Sequence, residues 1–588
     1  MKIVKLVLLS LTIFASITMP YCTMTSASQK QSLGIHHSSL LSDPFLQLPT
    51  KNTVNVVWFT EFKGDRHVVK YGSKLESSAI ANTTKLTKVR EDEDSQIDNP
   101  PVKSPRDIWR HESVITDLTP NQRIPYRVES IRGQQVTRSD IFTLACQPKT
   151  GTPLKILLTS DHQLMPMTAA NLEQMVKTVG RVDAVFFPGD LVNVPDRASE
   201  WFDDLRGGAF FPSLQGRGNY QLERNGITTT YRGGEIIQHA PLFTAIGNHE
   251  VMGKVSPQST LKQEFSQPHP RQVAQEIYDA QVNSNTLSNN TLSEADWIKD
   301  NSFNTDTYEE IFTLPTGDAG QKYYATSFGD LRLISLYVTN IWRSSSLEAD
   351  ASGRYKESDA EIANPENWGY GQHIFESIAQ GSQQYEWLKQ ELNSQAYQQA
   401  KYKIVMFHHP PHTLGGNIVP PYTDPLPQLY YTKDGEVRSR YYDYPIEDDY
   451  IIRDLVPLLE SAGVQLVYYG HSHLWNRFQS KSGMHFLESS NVGNSYGAHL
   501  GENQREIPTY SPENYAATGN PNGLEAIVPN IAPLVDEAGQ PQPYIASNDI
   551  TVFSVLETDT GTVSSYRYDT HQPNSPAILF DRFELRSN

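Results

Sequence analysis

"FTAIGNHEV", residues 243–251, runs an apolar segment straight into Gly247, Asn248, His249 and Glu250 with no spacer. Short apolar runs that stop at a glycine are the pattern of a buried strand. One polar ending of this kind is an ordinary turn, so its meaning depends on the rest of the chain. Four other runs end the same way. "LKILLTSD" (154–161) stops at Asp161, and "AVFFPGD" (184–190) at Gly189 and Asp190. "YKIVMFHHP" (402–410) carries His408 and His409, and "VQLVYYGHSH" (464–473) ends on His471, Ser472 and His473.

Amphipathic segments lie between these runs. Leu172, Met175, Val176 and Val179 recur on one helical face, as do Ile452, Leu455, Val456 and Leu459, and "QQYEWLKQEL" (383–392) reads as a further helix. Buried strands alternating with such helices predict an α/β layered fold with partly parallel strands. Ligands in these folds sit beyond the carboxyl ends of the strands, so the five endings are expected to meet in one cleft. Two Asp, one Asn and three or four His form a metal-ligand set whose mixed oxygen and imidazole donors suit Zn, Mn, Fe, Co or Ni. Asp190, central in the set, could bridge two ions about 3.5–4 Å apart. Glycines before Asp190, Asn248 and His471 allow sharp turns into the cleft.

Outward from this centre, residues 45–147 hold short β-rich runs, among them "VNVVWFT" (54–60), "HVVKYG" (67–72) and "PYRVES" (125–130), which predict a small sandwich. It contains no catalytic constellation, so its expected role is structural or docking. The segments 195–238, 255–318, 340–380 and 412–448 are long and polar and are expected to be loops around the site, not further domains. Residues 550–588 are again strand-rich and are expected to complete the main domain.

Composition sets limits on this reading. The chain has 588 residues, 38% of them hydrophobic, enough for a large core and too many for one ordinary domain. A formal net charge of −18 without a Lys/Arg stripe argues against nucleic acid or an anionic membrane as partner. Lys2 and Lys5 precede "LVLLSLTIFASIT", and Thr25 and Ala27 offer a cleavage site, so residues 1–27 read as an export signal; a retained anchor is the alternative. The mature protein is then expected to be secreted or periplasmic, without a membrane span. Cys146 would be its only cysteine, excluding an internal disulfide.

Together these residues resemble the calcineurin-like metallophosphoesterases. The ordered motifs stand here as "SDHQ" (160–163), "GDLVN" (189–193), "GNHE" (247–250), "VMFHHP" (405–410) and "GHSH" (470–473). The β-rich region with "HESVITDLTPNQRIPYRVES" (111–130) is similar to the fibronectin-III-like domain of purple acid phosphatases. There an aromatic residue usually follows the Pro of "LTP" by four positions; Ile124 stands at that place and Tyr126 two further on. The resemblance implies a fibronectin-III-like domain over 45–148 and a four-layer α/β/β/α catalytic domain over 152–588. It implies two divalent ions, of Fe, Mn or Zn. Asp161, bridging Asp190 and His473 would hold one; Asp190, Asn248, His408 and His471 would hold the other. His249 would stabilise or protonate the leaving oxygen, with Glu250 orienting it, and the nucleophile would be a metal-bridging hydroxide. Two positions depart from the pattern: Gln163 and Asn193 stand where the family places the His or Tyr that completes the first ion's ligands. His162, His409 and His412 are expected to be structural or to support the site. The implied activity is hydrolysis of small phosphomonoesters. Phosphodiester hydrolysis and a non-catalytic binding or adhesion role are the alternatives.

Overall fold

Alternation along "VNVVWFT" decides how the β-rich region joins the rest. Val54, Val56 and Trp58 point into the sandwich's own core, whereas Val57 and Phe59 point the other way, into the core of the catalytic domain. In the computed structural model of the chain the described residues are 40–287, 292–317, 320–344, 346–351, 353–412, 420–495, 511–514, 524–526 and 544–585. The proposed export signal, residues 1–27, lies outside them. One sheet of the sandwich is ordered Phe45–Gln47, Val54–Thr60, Trp109–Ile115, Asn82–Lys85. The other is built on Ile124–Arg132, with Arg66–Tyr71, Gln135–Arg138 and Phe142–Leu144 as neighbours.

The junction with the catalytic domain is a packed interface. Phe59 lies 5.0 Å from Phe202 and 5.4 Å from Phe211, ring centre to ring centre. The Tyr126 hydroxyl donates to the Gln238 carbonyl at 2.8 Å. Arg90 pairs with Asp196 at 2.7 Å and with Glu264 at 2.8 Å, and Lys103 pairs with Glu264 at 2.7 Å. All four of these side chains on the sandwich reach into the catalytic domain. The docking role expected from the sequence therefore falls on the chain's own catalytic domain.

That domain has two sheets. The first is ordered Leu242–Thr244, Ala184–Phe187, Lys155–Leu158, Ile550–Glu557, Thr562–Asp569, Ile578–Glu584. Its first three strands are parallel, and Ile550–Glu557 joins antiparallel to Lys155–Leu158, so the late strands complete this sheet as the sequence suggested. The second runs Tyr324–Phe328, Leu331–Ser335, Tyr402–Met406, Leu466–Tyr469, His485–Ser489, Trp475–Gln479. Along Tyr402–Met406, Ile404 and Met406 enter the core shared with the first sheet, and Val405 enters a second core. Leu466 and Tyr468 repeat the first orientation, Val467 and Tyr469 the second. The second core is closed by Leu388 and Leu392 of the helix Gln383–Leu392, and by Leu455 and Leu459 of the turns at 451–461. Leu172 and Met175 of the helix Thr168–Val179 cover the first sheet. The result is the helix, sheet, sheet, helix layering that the resemblance implied.

The excursions differ from expectation. They carry structure of their own: hairpins Tyr220–Arg224/Ile227–Tyr231 and Leu426–Tyr431/Val437–Asp443, and helices Leu261–Phe265, Arg271–Asn283, Glu294–Asp300 and Asp306–Ile311. Cys146 is buried and unbonded, with its thiol pushed up by burial. Among the described residues no helix is long and apolar enough to cross a membrane.

Candidate metal centre

Three strands of the first sheet deliver Asp161, Asp190 and Asn248 just past their carboxyl ends; two strands of the second deliver His408 and His471. Two groups of ligand atoms form there, and Asp190 belongs to both: Asp190 with His408 and His471, and Asp161 with Asp190 and His473. All of these side chains are buried. In the first group Asn248 Oδ1 lies 3.1 Å from His408 Nε2 and 2.9 Å from His471 Nδ1. The two imidazole nitrogens are 3.1 Å apart, and Asp190 Oδ1 is 3.2 Å from His408 Nε2. In the second, His473 Nε2 is 3.5 Å from Asp161 Oδ1.

The tautomers follow from what the other ring nitrogens meet. His408 Nδ1 faces the Pro188 carbonyl at 3.0 Å, His473 Nδ1 the Asn494 carbonyl at 3.2 Å, and His249 Nδ1 the Asn193 carbonyl at 2.6 Å. A carbonyl can only accept, so each Nδ1 holds the proton and each Nε2 is turned toward the site. His471 is reversed, with Nδ1 toward Asn248 and a buried Nε2 that has no hydrogen-bond partner among the described residues.

The backbone at these positions is held in a costly conformation. Asp161, Asp190, His471 and His473 have φ of 55°, 59°, 78° and 58°, in the left-handed region, at about 1–3 kcal/mol each. Neighbouring groups hold it there. The His471 N–H donates to Asp161 Oδ1 at 3.0 Å, and the His249 N–H donates to Asp190 Oδ1 at 2.9 Å. Gly189, at φ 106°, presses against Gly247, where a Cβ would come within 2.5 Å of the Gly247 nitrogen. At Gly470 the constraint is space: a Cβ would lie 2.2 Å from Asp161 Oδ2.

The charge balance also fits cations. Burial drives the Asp161 carboxyl upward. Burial pushes the His408 imidazole down, but Asp190 foremost, then Asp161 and Glu250, outweigh it and bring it up to about 9. Among the described residues the ion partners of Asp161 and Asp190 are imidazoles, not Lys or Arg. Converging lone pairs on buried carboxylates, with only a histidine proton to balance them, are what divalent ions would satisfy.

Glu250 is a correction. It does not orient His249: its carboxylate accepts from the backbone N–H groups of Gly247 at 2.7 Å and of Asp190 and Leu191 at 2.8 Å each. It clamps together the two turns that carry Asp190 and Asn248. Burial, then Asp190, raises it to about 7 despite those three donors. The Asn193 carbonyl is what orients His249. The two departing residues use their amide nitrogens as hydrogen-bond donors at the site. Gln163 Nε2 donates to Asp190 Oδ2 at 3.1 Å while its oxygen accepts from Asn494, and the Asn193 amide donates to the Gln163 carbonyl. His162 is structural as expected, 2.9 Å from the Thr159 hydroxyl and edge-on to Phe187. His409 packs on Tyr422 and His471 without joining either donor group.

A residue not read from the sequence is Glu488. Fully buried, it accepts from the Ser472 N–H at 2.9 Å, the Ser472 hydroxyl, the Ser490 hydroxyl and the Asn476 amide, fixing the loop between His471 and His473. Its signal was an acid inside the buried run "HFLES". Glu488→Gln sets an NH₂ against these donors. The expected result is a loss of metal affinity of about 10- to 100-fold with the fold intact by circular dichroism. Unchanged affinity in a metal titration would remove Glu488 from the site's support.

Residues 154–474 match the family model of the calcineurin-like phosphoesterases, more than half of the chain. The chain belongs to that family. Among solved structures it is similar to a purple acid phosphatase from yellow lupin (Lupinus luteus) seeds, with a TM-score of 0.51 and 13% identity over 92% of this chain and 73% of that one. A weaker similarity, TM-score 0.31 and 11% identity over 74% of this chain and 89% of that one, is to GAP50, the anchor in the inner membrane complex of Plasmodium. No curated protein matches the chain. The lupin structure bears on the fold, where sandwich and catalytic domain agree with the expected resemblance. Family membership makes this chain a metallophosphoesterase in its architecture, with buried Asp and His groups suited to divalent ions.

Proposed function

We propose that this phosphoesterase hydrolyses small phosphomonoesters at a centre of two divalent ions. The observation that carries the reading is Asp190, shared by two buried donor groups, with the His249 ring fixed beside it. Asp190, Asn248, His408 and His471 would hold one ion; Asp161, Asp190 and His473 would hold the other. Divalent ions held by these residues would supply Lewis acidity toward the phosphate and a means of activating water near neutral pH.

The chain's own groups do the rest. Asp190 keeps the two donor groups in register, and its Oδ1 also ties down the His249 backbone. Asn193 holds the proton on His249 Nδ1 and so leaves Nε2, 3.9 Å from Asp190 Oδ2, on the cleft side. Protonated there, Nε2 donates to the departing ester oxygen as general acid. Its side chain is 19% exposed, more open than Asp190 at 1%, as a group that meets substrate must be.

Metal analysis of the purified protein, run beside p-nitrophenyl phosphate and bis-p-nitrophenyl phosphate assays, tests the proposal. The expected result is close to two ions per chain and faster turnover of the monoester. Faster turnover of the diester would replace the monoesterase reading with a diesterase. Two bound ions without turnover of either would point to a binding protein.

A further inference from the structure

The cleft above the donor atoms, about 450 Å³, carries a group of apolar side chains among its lining residues. Phe265 stacks on the His249 ring, centroids 4.8 Å apart and planes 29° from parallel. Val251, Ile341, Phe375 and Trp342 line the same cleft, and Trp342 is 40% exposed. Exposed aromatic surface beside a buried polar site is a usual component of a ligand pocket. Lys262, exposed and three residues before Phe265 on the same short helix, also lines the cleft, with no carboxylate within salt-bridge distance among the described residues. The other cation, Arg343, is committed elsewhere: its guanidinium donates to the carbonyls of Ser266, Pro268 and Gly369.

This wall is rigidly backed. Glu264, between Lys262 and Phe265, is held by Arg90 and Lys103 of the sandwich. The Leu261 N–H donates to Asp92 Oδ2 at 2.7 Å, and Arg343 pins the segment that follows the helix. An ester whose phosphorus sits at the donor groups and whose leaving oxygen meets His249 sends its next atoms toward Phe265.

We infer that the preferred leaving group is an aromatic ring bearing an anionic substituent, seated against Phe265 and Trp342 with its charge toward Lys262. This rests on the phosphoesterase reading. Ring stacking is favourable here because the aromatic faces are already in place, and Lys262 adds attraction for an anion at the rim.

Calorimetric binding of methylphosphonate, phenylphosphonate and 4-carboxyphenylphosphonate to the metal-loaded protein tests it without turnover. The phenyl compound is expected to bind about tenfold tighter than the methyl one, and the carboxyphenyl compound several-fold tighter again. Trp342→Ala and Phe265→Leu should each shrink the phenyl-to-methyl ratio, and Lys262→Met should shrink the carboxyphenyl-to-phenyl ratio. A phenyl-to-methyl ratio near one in the unaltered protein, or one that survives both aromatic changes, overturns the aromatic seat. If Lys262→Met weakens all three ligands equally, Lys262 holds the phosphate and the anionic substituent is wrong. Measurable binding or ester turnover with a ratio of one defeats this inference alone. Failure of all three ligands to bind, together with no turnover of any ester, defeats the phosphoesterase reading and this inference with it.

Discussion

Asp190→Asn is expected to empty both ion positions together and to lower phosphomonoester turnover by about 10²- to 10⁴-fold. Asp190 is the one residue common to both donor groups. Its carboxylate faces His408 at 3.2 Å, accepts the His249 N–H and accepts from Gln163. In the proposed two-ion centre, an Asn of the same size would remove the negative charge shared between the two cations and turn an acceptor into a donor facing other donors. Breaking a buried charged contact on one side costs about 3–5 kcal/mol, and each 1.36 kcal/mol is a factor of ten in rate. Metal content by mass spectrometry is the direct measurement. If the variant keeps one ion at full occupancy while losing the other, Asp190 belongs to one group only.

His249→Ala should separate chemistry from metal binding. His249 is in neither donor group, so the ions are expected to stay while turnover falls about 10²- to 10⁴-fold, the scale of a lost general acid. The loss should be greatest for esters with basic leaving groups and smallest for p-nitrophenyl phosphate, whose leaving oxygen needs little protonation. A series of substituted phenyl phosphates reads this out as a steeper dependence of rate on leaving-group acidity. An equal loss across the series would make His249 a positioning residue for the phosphate.

The main strands and the donor residues were legible because one physical rule governed both. Runs such as "AVFFPGD" and "VQLVYYGHSH" are buried along their whole length, so the apolar run marks the strand and the polar residues that end it mark the site. What escaped the sequence had no such contrast. Arg271–Asn283 fully buries only Ala274, and Glu294–Asp300 buries no residue, so neither packs into the core as the helices read from the sequence do. The Trp475–Gln479 strand hides behind Asn476 and Arg477, polar side chains made tolerable in the interior by Glu488 and Asp581. Glu250 stood in the right motif, but its role depends on amides at Asp190 and Leu191, about sixty positions away. Backbone hydrogen bonds across that distance leave no trace in residue type.

The pairing of Ile550–Glu557 with Lys155–Leu158 sets a schedule for synthesis. Lys155–Leu158 lies at the centre of the first sheet, with Ala184–Phe187 on one side and the late strand on the other. While the chain is being made, that second edge emerges well before its partner, which lies roughly 400 residues further on. Unpaired strand edges are templates for association with other chains. The nascent protein therefore carries an open β-edge beside Asp161 until that partner has been made. Its two donor groups draw on both sheets, and the first of these is incomplete until the late strands have docked. A ribosome-bound chain stopped before residue 550 should aggregate readily and hold metal poorly, even though every donor residue has already been made.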